Sequence, residues 1–290
     1  MKLEKLIKDK IDTAIKEVFE TKRDEIEKKI NDRVDKLQFN VKANIKEFKP
    51  GKLELHHKDL DKIYKLVQTK FPVYIYGEAG VGKTHLCQQI ANLLKVEFYG
   101  TGAIQDSYKL LGYKDSNGNY QETEFYKAFK DGGLFLFDEM DASSSEALVA
   151  INSALANGFV DFPNGRIYKN ENFYCIGAGN SNGVDTERYT ARNELDASTL
   201  DRFIFVEMDY DKNLEFKLIK DNELCKVWHE IRRVVKEKSL NILVSTRTLI
   251  IAKTLIDNNI CENNVEVVKM TVLKGQKPEL VKSILNEIKY

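Results

Sequence analysis

The chain has 290 residues, of which 45 are lysine or arginine and 45 are aspartate or glutamate, so its formal net charge is zero. This balance gives no general electrostatic reason to expect binding to nucleic acid or to an anionic membrane. No apolar stretch reaches the roughly 18 residues that span a bilayer, and the N-terminus MKLEKLIKDK has acids among its lysines and no apolar segment, which argues against a signal peptide. The four cysteines are far apart and form no CxxC pair, so we expect reduced thiols and a cytoplasmic protein.

The first 50 residues predict a helical arm and a linker. In residues 2–37 apolar residues recur every three or four positions, and acidic residues precede lysines by four positions, as Glu4 precedes Lys8. The apolar stripe is narrow, which favours a coiled-coil-like arm that binds a partner or a second copy of the chain. A helix laid along its own domain is the alternative interpretation. Pro50-Gly51 is the expected linker.

From residue 52 onward, alternating strand and helix patterns predict an α/β domain with a parallel sheet covered by helices. The predicted sheet strands are Val73–Tyr76, Val96–Tyr99, Gly133–Phe137, Phe173–Gly177 and Phe203–Met208. Hairpins are predicted at Tyr113–Tyr120 and Phe159–Ile167. The predicted helices are Leu60–Val67, Leu86–Leu94, Gln105–Leu111, Thr123–Lys130 and Ala147–Leu155, followed after the last strand by Leu214–Val235, Thr246–Leu255 and Glu279–Ile288. Trp228 is expected in the core of the last group and His229 at its surface.

The stretch Tyr74–Thr84, YIYGEAGVGKT, contains the pattern G-x-x-x-x-G-K-[ST] between a predicted strand and a predicted helix. Its glycines let the backbone turn tightly, so that N–H groups can converge on phosphate oxygens at a helix N-terminus. In such a loop Lys83 reaches the β- and γ-phosphates, and the Thr84 hydroxyl ligates Mg²⁺. The sequence therefore predicts a nucleotide-binding site.

Polar groups are predicted at the ends of two buried strands. The apolar run 133–137 leads into Asp138 and Glu139, and the run that begins at Phe173 ends before Asn180. Ligands of open α/β sheets bind at the carboxyl ends of the strands, so we expect these side chains beside the bound nucleotide. Asp138 would hold Mg²⁺, Glu139 would orient and deprotonate the attacking water, and Asn180 would hold that water or the γ-phosphate. His56-His57 is interpreted as a solvated turn or as a contact near the nucleotide base.

With these motifs placed, the chain resembles an AAA+ ATPase over residues 52–290, and it is most similar to the MoxR and CobS branch, the group with dynein-related AAA domains. Walker A is GEAGVGKT at Gly77–Thr84, Walker B is LFLFDE at Leu134–Glu139, and Asn180 matches sensor 1. The interruption at Tyr113–Tyr120 resembles the hairpin inserted in helix 2 of this branch. The lysine- and asparagine-rich sequence is similar to phage-encoded members.

Two further arginines match family positions. Arg202 in LDRF matches the arginine finger that acts on the ATP of the neighbouring subunit, and Arg247 in STRTL matches sensor 2. Arg192 is an alternative candidate for the finger.

The resemblance implies a P-loop NTPase with a five-stranded parallel sheet and a small helical lid. The expected domains are 1–50, the arm and linker; 51–209, the large ATPase domain; and 210–290, the lid. The implied catalytic residues are Lys83, Glu139, Asn180 and Arg202, and the implied metal ligands are Thr84 and Asp138. The implied nucleotide-binding residues are Gly77, Glu78, Ala79, Gly80, Val81, Gly82, Lys83, Thr84, His85 and Arg247.

The resemblance also implies what such a protein does. It predicts ATP and Mg²⁺ as ligands, hydrolysis of ATP, and a homo-oligomeric ring, a hexamer, with active sites between subunits. The ring would remodel a protein partner or insert a metal together with a von Willebrand A-domain companion, without acting at a membrane. A motor or loader that acts on nucleic acid and a nucleotide-gated scaffold with little turnover are the alternatives.

Overall fold

The structure is a computed structural model that describes residues 55–183 and 193–288, together with Lys22. Every element below belongs to the unit Phe48–Tyr290. Apart from Lys22, the predicted N-terminal helix lies outside the described residues, as do the linker at Pro50-Gly51 and Arg192. In the part of the chain that is described, no helix is both long and apolar enough to cross a membrane.

Five parallel strands form the central sheet, which confirms the predicted fold class. They are β1 (Val73–Tyr76), β2 (Phe98–Thr101), β5 (Gly133–Phe137), β8 (Phe173–Gly179) and β9 (Ile204–Glu207), in the order β2-β5-β8-β1-β9. All five residues of β5 are buried, as expected of a strand covered on both faces. The register places Tyr76 opposite both Gly179 and Glu207, so β8, β1 and β9 end together.

Helices cover both faces of the sheet. One face packs against α1 (Leu60–Gln68) and α2 (Lys83–Leu94), which bury aliphatic side chains such as Ile63 and Ile90. The other face packs against α4 (Glu124–Asp131) and α5 (Ser145–Asn157), where an aromatic cluster surrounds Phe125. The short helices α3 (Tyr108–Leu111) and α6 (Ala197–Arg202) complete this part of the chain.

Both predicted hairpins are present. The strands β3 (Tyr113–Lys114) and β4 (Tyr120–Gln121) pair in the first, and β6 (Phe159–Phe162) and β7 (Gly165–Tyr168) pair in the second. The first turn is held by Asp115, whose carboxylate accepts hydrogen bonds from the backbone N–H groups of Asn117 and Asn119, both at 2.9 Å.

Within the described residues, five helices follow the last strand, and they lie in the predicted lid. They are α7 (Lys212–Ile219), α8 (Asn222–Glu237), α9 (Thr246–Asp257), α10 (Asn264–Thr271) and α11 (Pro278–Glu287). They share a hydrophobic cluster centred on Trp228, which is fully buried as predicted. Asp211, Asp221, Ser245 and Asn263 each accept a hydrogen bond from the first turn of the next helix, and such a cap stabilises a helix by about 1 kcal/mol.

Several predicted elements are corrected, among them the helix predicted at Gln105–Leu111, which begins at Tyr108. The second strand starts at Phe98 rather than at Val96, because the Val96 N–H donates to the Ala91 carbonyl and so closes the end of α2. The predicted helix Leu214–Val235 is two helices, because Lys220 takes a left-handed conformation with φ of 55° and Asp221 caps the second. Helix α10 was not predicted, since only a short apolar stripe marks it.

The four cysteines are free and buried. Cys87 lies under one face of the sheet and Cys175 under the other, whereas Cys225 and Cys261 lie in the hydrophobic cluster of the lid. Burial raises the pKa of the Cys175 thiol to about 12.

Candidate functional site

The predicted motifs converge because they begin where neighbouring strands end. Gly77 follows β1, Asp138 follows β5 and Asn180 follows β8, and these strands are adjacent in the sheet. A cavity of about 610 Å³ opens between these strand ends and the lid. The predicted site residues that line it are Ala79, Gly80, Val81, Gly82, Lys83, Thr84, His85, Asp138, Glu139, Asn180 and Arg247. Gly77 and Glu78 do not line it, although their carbonyl oxygens contact Lys83.

The loop Gly77–Thr84, called the phosphate loop below, needs glycine at two positions for different reasons. A Cβ at Gly77 would lie 2.0 Å from the carbonyl oxygen of Met208, so only glycine lets the loop leave β1 beside the end of β9. Gly80 has φ of +81°, and a Cβ there would lie 2.7 Å from the Cβ of Ser245 in the lid. The loop therefore fits closely against both the sheet and the lid.

The Lys83 side chain lies at the centre of the site and is 8% exposed. Its Nζ donates hydrogen bonds to the carbonyl oxygens of Gly77 (2.7 Å) and Glu78 (3.2 Å) and to Oδ1 of Asn180 (2.9 Å). The ammonium group thus bridges the phosphate loop and the end of β8. A buried ammonium group beside a glycine-rich loop at a helix N-terminus suits an anionic ligand.

Thr84 and Asp138 meet at the edge of the cavity. The Thr84 hydroxyl donates to Oδ2 of Asp138 at 2.8 Å, and Oδ1 of the same carboxylate accepts from the Glu139 N–H at 2.9 Å. Glu139 is exposed and has left-handed backbone angles, φ of 51° and ψ of 37°. A non-glycine residue in this conformation is uncommon and is often found at functional sites.

Asn180 is held by a buried carboxylate that the sequence did not single out. Oδ2 of Asp141 accepts hydrogen bonds from the backbone N–H groups of Asn180 and Ser181, both at 2.9 Å, and from the Ser181 hydroxyl at 3.0 Å. Asp141 is fully buried, and a Cβ built on Gly179 would lie 2.9 Å from its Cγ. The Asn180 side chain is therefore directed at Lys83 from a rigid strand end.

Arg247 reaches the cavity from the lid. It is the second residue of α9, is exposed, and lines the cavity next to Gly80. A Cβ on Gly80 would lie 3.5 Å from the Cβ of Arg247. The structure thus brings the sensor 2 candidate from the lid to the phosphate loop.

Arg202 is not brought to the cavity of its own chain. It is the last residue of α6, and its guanidinium donates to the Ser198 carbonyl through Nη1. Its Nε is buried with no hydrogen-bond partner among the described residues. The alternative, Arg192, lies outside the described residues.

A second buried carboxylate, Glu215 of α7, lies at the lid side of the cavity and is 1% exposed. It accepts hydrogen bonds from Arg232 (2.6 and 2.7 Å) and Thr246 (2.6 Å), and His229 Nε2 lies 2.8 Å from it. Burial by itself would raise the pKa of Glu215, but the hydrogen bonds from His229 and Arg232, the Arg232 charge and the Thr246 hydroxyl outweigh it and lower the pKa to about 2. The surface position predicted for His229 is wrong, because its side chain is 10% exposed against this carboxylate.

The remaining wall of the cavity combines the segment before α1 with the segment after β9. His57 is 4% exposed, and its Nε2 lies 2.8 Å from the Asp209 carbonyl oxygen. The solvated turn considered for this histidine is therefore wrong, whereas the contact near the nucleotide base stays a prediction. Tyr210 donates its hydroxyl to the Ala79 carbonyl of the phosphate loop at 3.2 Å.

Asp141, Tyr210 and Glu215 were not among the residues predicted from the sequence. Asp141 follows the acidic pair by only two residues, and that proximity is the one signal that could have singled it out. Glu215 has partners 14 to 31 positions away on two other helices, so local spacing gives no indication of its role.

The fold and the site together define a class of protein. A strand, a glycine-rich loop and a helix with Lys83 and Thr84 at its start, facing an acidic strand end in a parallel sheet, are the parts of a P-loop NTPase. The Asn180 side chain at the neighbouring strand end and the helices that follow β9 agree with the AAA+ form of this fold.

The comparison with protein families gives the particular group. Residues 72–203 match the model of the AAA domain (dynein-related subfamily). This match supports the interpretation of residues 72–203 as an AAA domain of the dynein-related subfamily. No curated protein matches the sequence.

Three solved structures illustrate the similarity in fold. A candidate ATPase from Cytophaga hutchinsonii is 16% identical, with 89% of this chain and 94% of that chain covered and a TM-score of 0.45. NtrX from Brucella abortus is 12% identical, with 88% and 55% covered and a TM-score of 0.47. A proline-to-glycine variant of RuvB from Thermotoga maritima is 17% identical, with 74% and 69% covered and a TM-score of 0.48. None of these matches supports a phage origin.

Proposed function

We propose that the chain binds ATP with Mg²⁺ in the cavity between sheet and lid and hydrolyses it to ADP and phosphate. The observation that carries this proposal is the meeting of Lys83 with Asn180 and of Thr84 with Asp138 at one edge of the sheet. The glycine-rich loop and the buried ammonium fit a polyphosphate chain. The Thr84 hydroxyl and the Asp138 carboxylate are hard oxygen ligands that fit Mg²⁺.

The proposed chemistry assigns each side chain a task. Lys83 binds the β- and γ-phosphates, and Arg247 supplies positive charge from the lid. Asn180 orients the attacking water or the γ-phosphate, and Glu139 accepts a proton from that water as its oxygen bonds to the γ-phosphorus and the bond to the ADP oxygen breaks. Bound Mg²⁺ would supply neutralisation of phosphate charge at Thr84 and Asp138.

Two variants test hydrolysis separately from binding. We expect Lys83→Ala to abolish nucleotide binding, because it removes the cation that bridges loop and strand end. Glu139→Gln should keep binding and lose turnover, because the amide cannot accept the proton. Calorimetric binding of ATP and a phosphate-release assay measure the two quantities. A Glu139→Gln protein that hydrolyses ATP at the wild-type rate would remove Glu139 as the base.

We further propose that the working form is a homo-oligomeric ring, a hexamer, in which Arg202 acts on the ATP of the next subunit. The position of Arg202 outside its own cavity supports this assignment. An arginine supplied in trans raises turnover by about 10³–10⁵ in other nucleotide hydrolases. Arg202→Ala should therefore bind ATP normally and turn it over at least 100-fold more slowly. Wild-type activity per subunit that is independent of protein concentration would contradict a shared site.

The proposed role of turnover is to remodel a protein partner, as in the MoxR and CobS branch, with a von Willebrand A-domain companion. The match to the dynein-related subfamily supports it.

We keep residues 1–50 as the arm, 51–209 as the ATPase domain and 210–290 as the lid. The separate hydrophobic cluster of the lid supports the last boundary. A cytoplasmic location agrees with four free thiols.

A pull-down tests the proposed protein partner. The Glu139→Gln protein with ATP should retain that partner, and salt-sensitive retention of DNA or RNA instead would contradict a role in remodelling proteins.

A further inference from the structure

The cluster around Glu215 joins three helices of the lid. Glu215 belongs to α7, His229 and Arg232 belong to α8, and Thr246 is the first residue of α9. Arg232 contributes two hydrogen bonds to the carboxylate, and its side chain is 14% exposed. An ion pair removed from water to this degree is stable only when its geometry is good and its remaining polar atoms have partners. The four contacts around Glu215 meet that condition.

The cluster fixes the start of α9, which carries Arg247. Thr246 donates its hydroxyl to Glu215 at 2.6 Å, and Ser245, the residue before it, caps the helix by accepting from the Thr248 N–H. Ser245 is also the residue that lies against Gly80 of the phosphate loop. The two residues that precede Arg247 are thus tied to the cluster on one side and to the loop on the other.

A second connection runs from the cluster to the phosphate loop through an aromatic ring. The Arg232 guanidinium lies 3.8 Å from the centre of the Tyr210 ring, and the Tyr210 hydroxyl donates to the Ala79 carbonyl. Arg232 also donates through Nε to the Val244 carbonyl at 2.6 Å, just before the cap of α9. The guanidinium therefore contacts α7, the segment that leads into α9 and the tyrosine that reaches the phosphate loop.

We propose that Glu215 is a positioning residue, whose carboxylate holds the start of α9 so that the Arg247 guanidinium faces the phosphates of the bound nucleotide. The inference rests on the proposed function, because Arg247 needs a nucleotide to act on. Glu215 acts through Thr246 and Arg232, and neither a proton nor a bond of the nucleotide is exchanged with it. The interaction of Arg247 with ATP therefore depends on a charge located on another helix.

A double-mutant cycle tests the inference on the full chain. The affinities of a slowly hydrolysed ATP analogue and of ADP are measured for wild type, Arg247→Ala, Glu215→Gln and the double variant. We expect each single variant to weaken the ATP analogue about tenfold and ADP by less, because the third phosphate adds negative charge near Arg247. The double variant should be no weaker than Arg247→Ala within about twofold, since both changes remove the same interaction.

Two further variants keep the test decisive. Thr246→Val has the same shape and loses only the hydroxyl that contacts Glu215. It should therefore also weaken the ATP analogue more than ADP, by a smaller factor than Glu215→Gln, and it keeps the test valid even if Glu215→Gln folds poorly. Glu237→Gln is the matched control, because it neutralises an exposed glutamate of α8 that pairs with Arg233 at 2.7 Å. It should leave both affinities unchanged.

The outcomes distinguish the inference from the proposed function. Equal weakening of both nucleotides by Glu215→Gln and Thr246→Val, or additive losses in the double variant, would mean a purely structural role and would overturn the inference alone. A wild-type chain that binds neither nucleotide would overturn the proposed function, and the inference with it.

Discussion

The two proposed sensor residues, both of which line the cavity, are held in different ways. Asn180 stands at the end of a sheet strand, and the Asp141 carboxylate fixes it through backbone N–H groups. Arg247 stands at the start of a lid helix. The residue before it, Thr246, is held by contacts between side chains of three helices. The hydrogen-bond donors at Asp141 are neutral, whereas those at Glu215 include an arginine.

This difference separates a rigid half of the site from an adjustable half. Two of the donors at Asp141 are backbone N–H groups that follow a strand paired on both sides, so they stay in place as long as the sheet is intact. The cluster at Glu215 depends on ionised side chains, and its strength changes with pH and with the position of each helix. We therefore expect the lid side to be the half that responds to conditions.

The largest effect is expected from breaking the rigid half. Asp141→Ala leaves the Asn180 N–H and both the N–H and the hydroxyl of Ser181 without this acceptor. A buried donor without a partner costs about 1–3 kcal/mol, so we expect a loss of about 4 kcal/mol in the free energy of unfolding. Urea denaturation measures it. Asp141→Asn should retain most of the stability, because its side-chain oxygen can still accept from neutral donors. Ser144→Ala, which removes a helix cap, serves as the control at about 1 kcal/mol. If Asp141→Ala lowers the free energy of unfolding no more than the control does, Asp141 does not hold a rigid half of the site.

The next effect is a pH dependence specific to the lid. The pKa of Glu215 is lowered from 4.5 in the unfolded chain to about 2 in the folded chain. Its ionised form therefore stabilises the fold at pH values above the unfolded-state pKa, and this contribution is lost as pH falls from about 5 towards 2. The shift corresponds to about 3 kcal/mol at pH 7, of which less than half remains at pH 3. The stability difference between wild type and Glu215→Gln should shrink accordingly in urea titrations at the two values. A difference that is the same at both would mean that the charge of Glu215 does not stabilise the fold.

The smallest effect is expected from variants of Tyr210, which connects the lid to the phosphate loop. Tyr210→Phe removes the hydrogen bond to Ala79 but keeps the ring beneath Arg232, so we expect nucleotide affinity to fall by about threefold or less, since water can replace the hydroxyl. Tyr210→Leu also removes the interaction of the guanidinium with the ring and should weaken binding further. Equal affinities for the two variants, measured by calorimetry, would show that the ring contributes nothing.

Much of the fold could be predicted because its signals are local. The apolar run of β5 and the glycine pattern after β1 each lie within a dozen residues, and both were identified correctly. The edge strand β2 was placed two residues early, because its pairing with β5 selects Gly100 and Thr101, which have no strong strand pattern. Strand β8 runs on to Gly179 because β1 pairs with it there.

Apart from Arg202, the predicted site residues within the described part of the chain lie together, and the residues that hold them were missed for a physical reason. Asp141 and Asn180 are separated by 39 positions, and Glu215 and Thr246 by 31, so only the folded sheet and the packed lid bring them into contact. Spacing within a motif predicts which side chains meet a ligand. It does not predict which buried carboxylate orients them.

The distribution of the cysteines provides an internal reporter of motion. One thiol lies under each face of the sheet and two lie inside the lid, all inaccessible while the chain is closed. Timed alkylation followed by peptide mass analysis would therefore tell which layer opens first, without any introduced label. Modification of Cys225 and Cys261 ahead of Cys87 and Cys175 would identify the helical layer as a separately breathing unit, and added nucleotide should slow that reaction selectively.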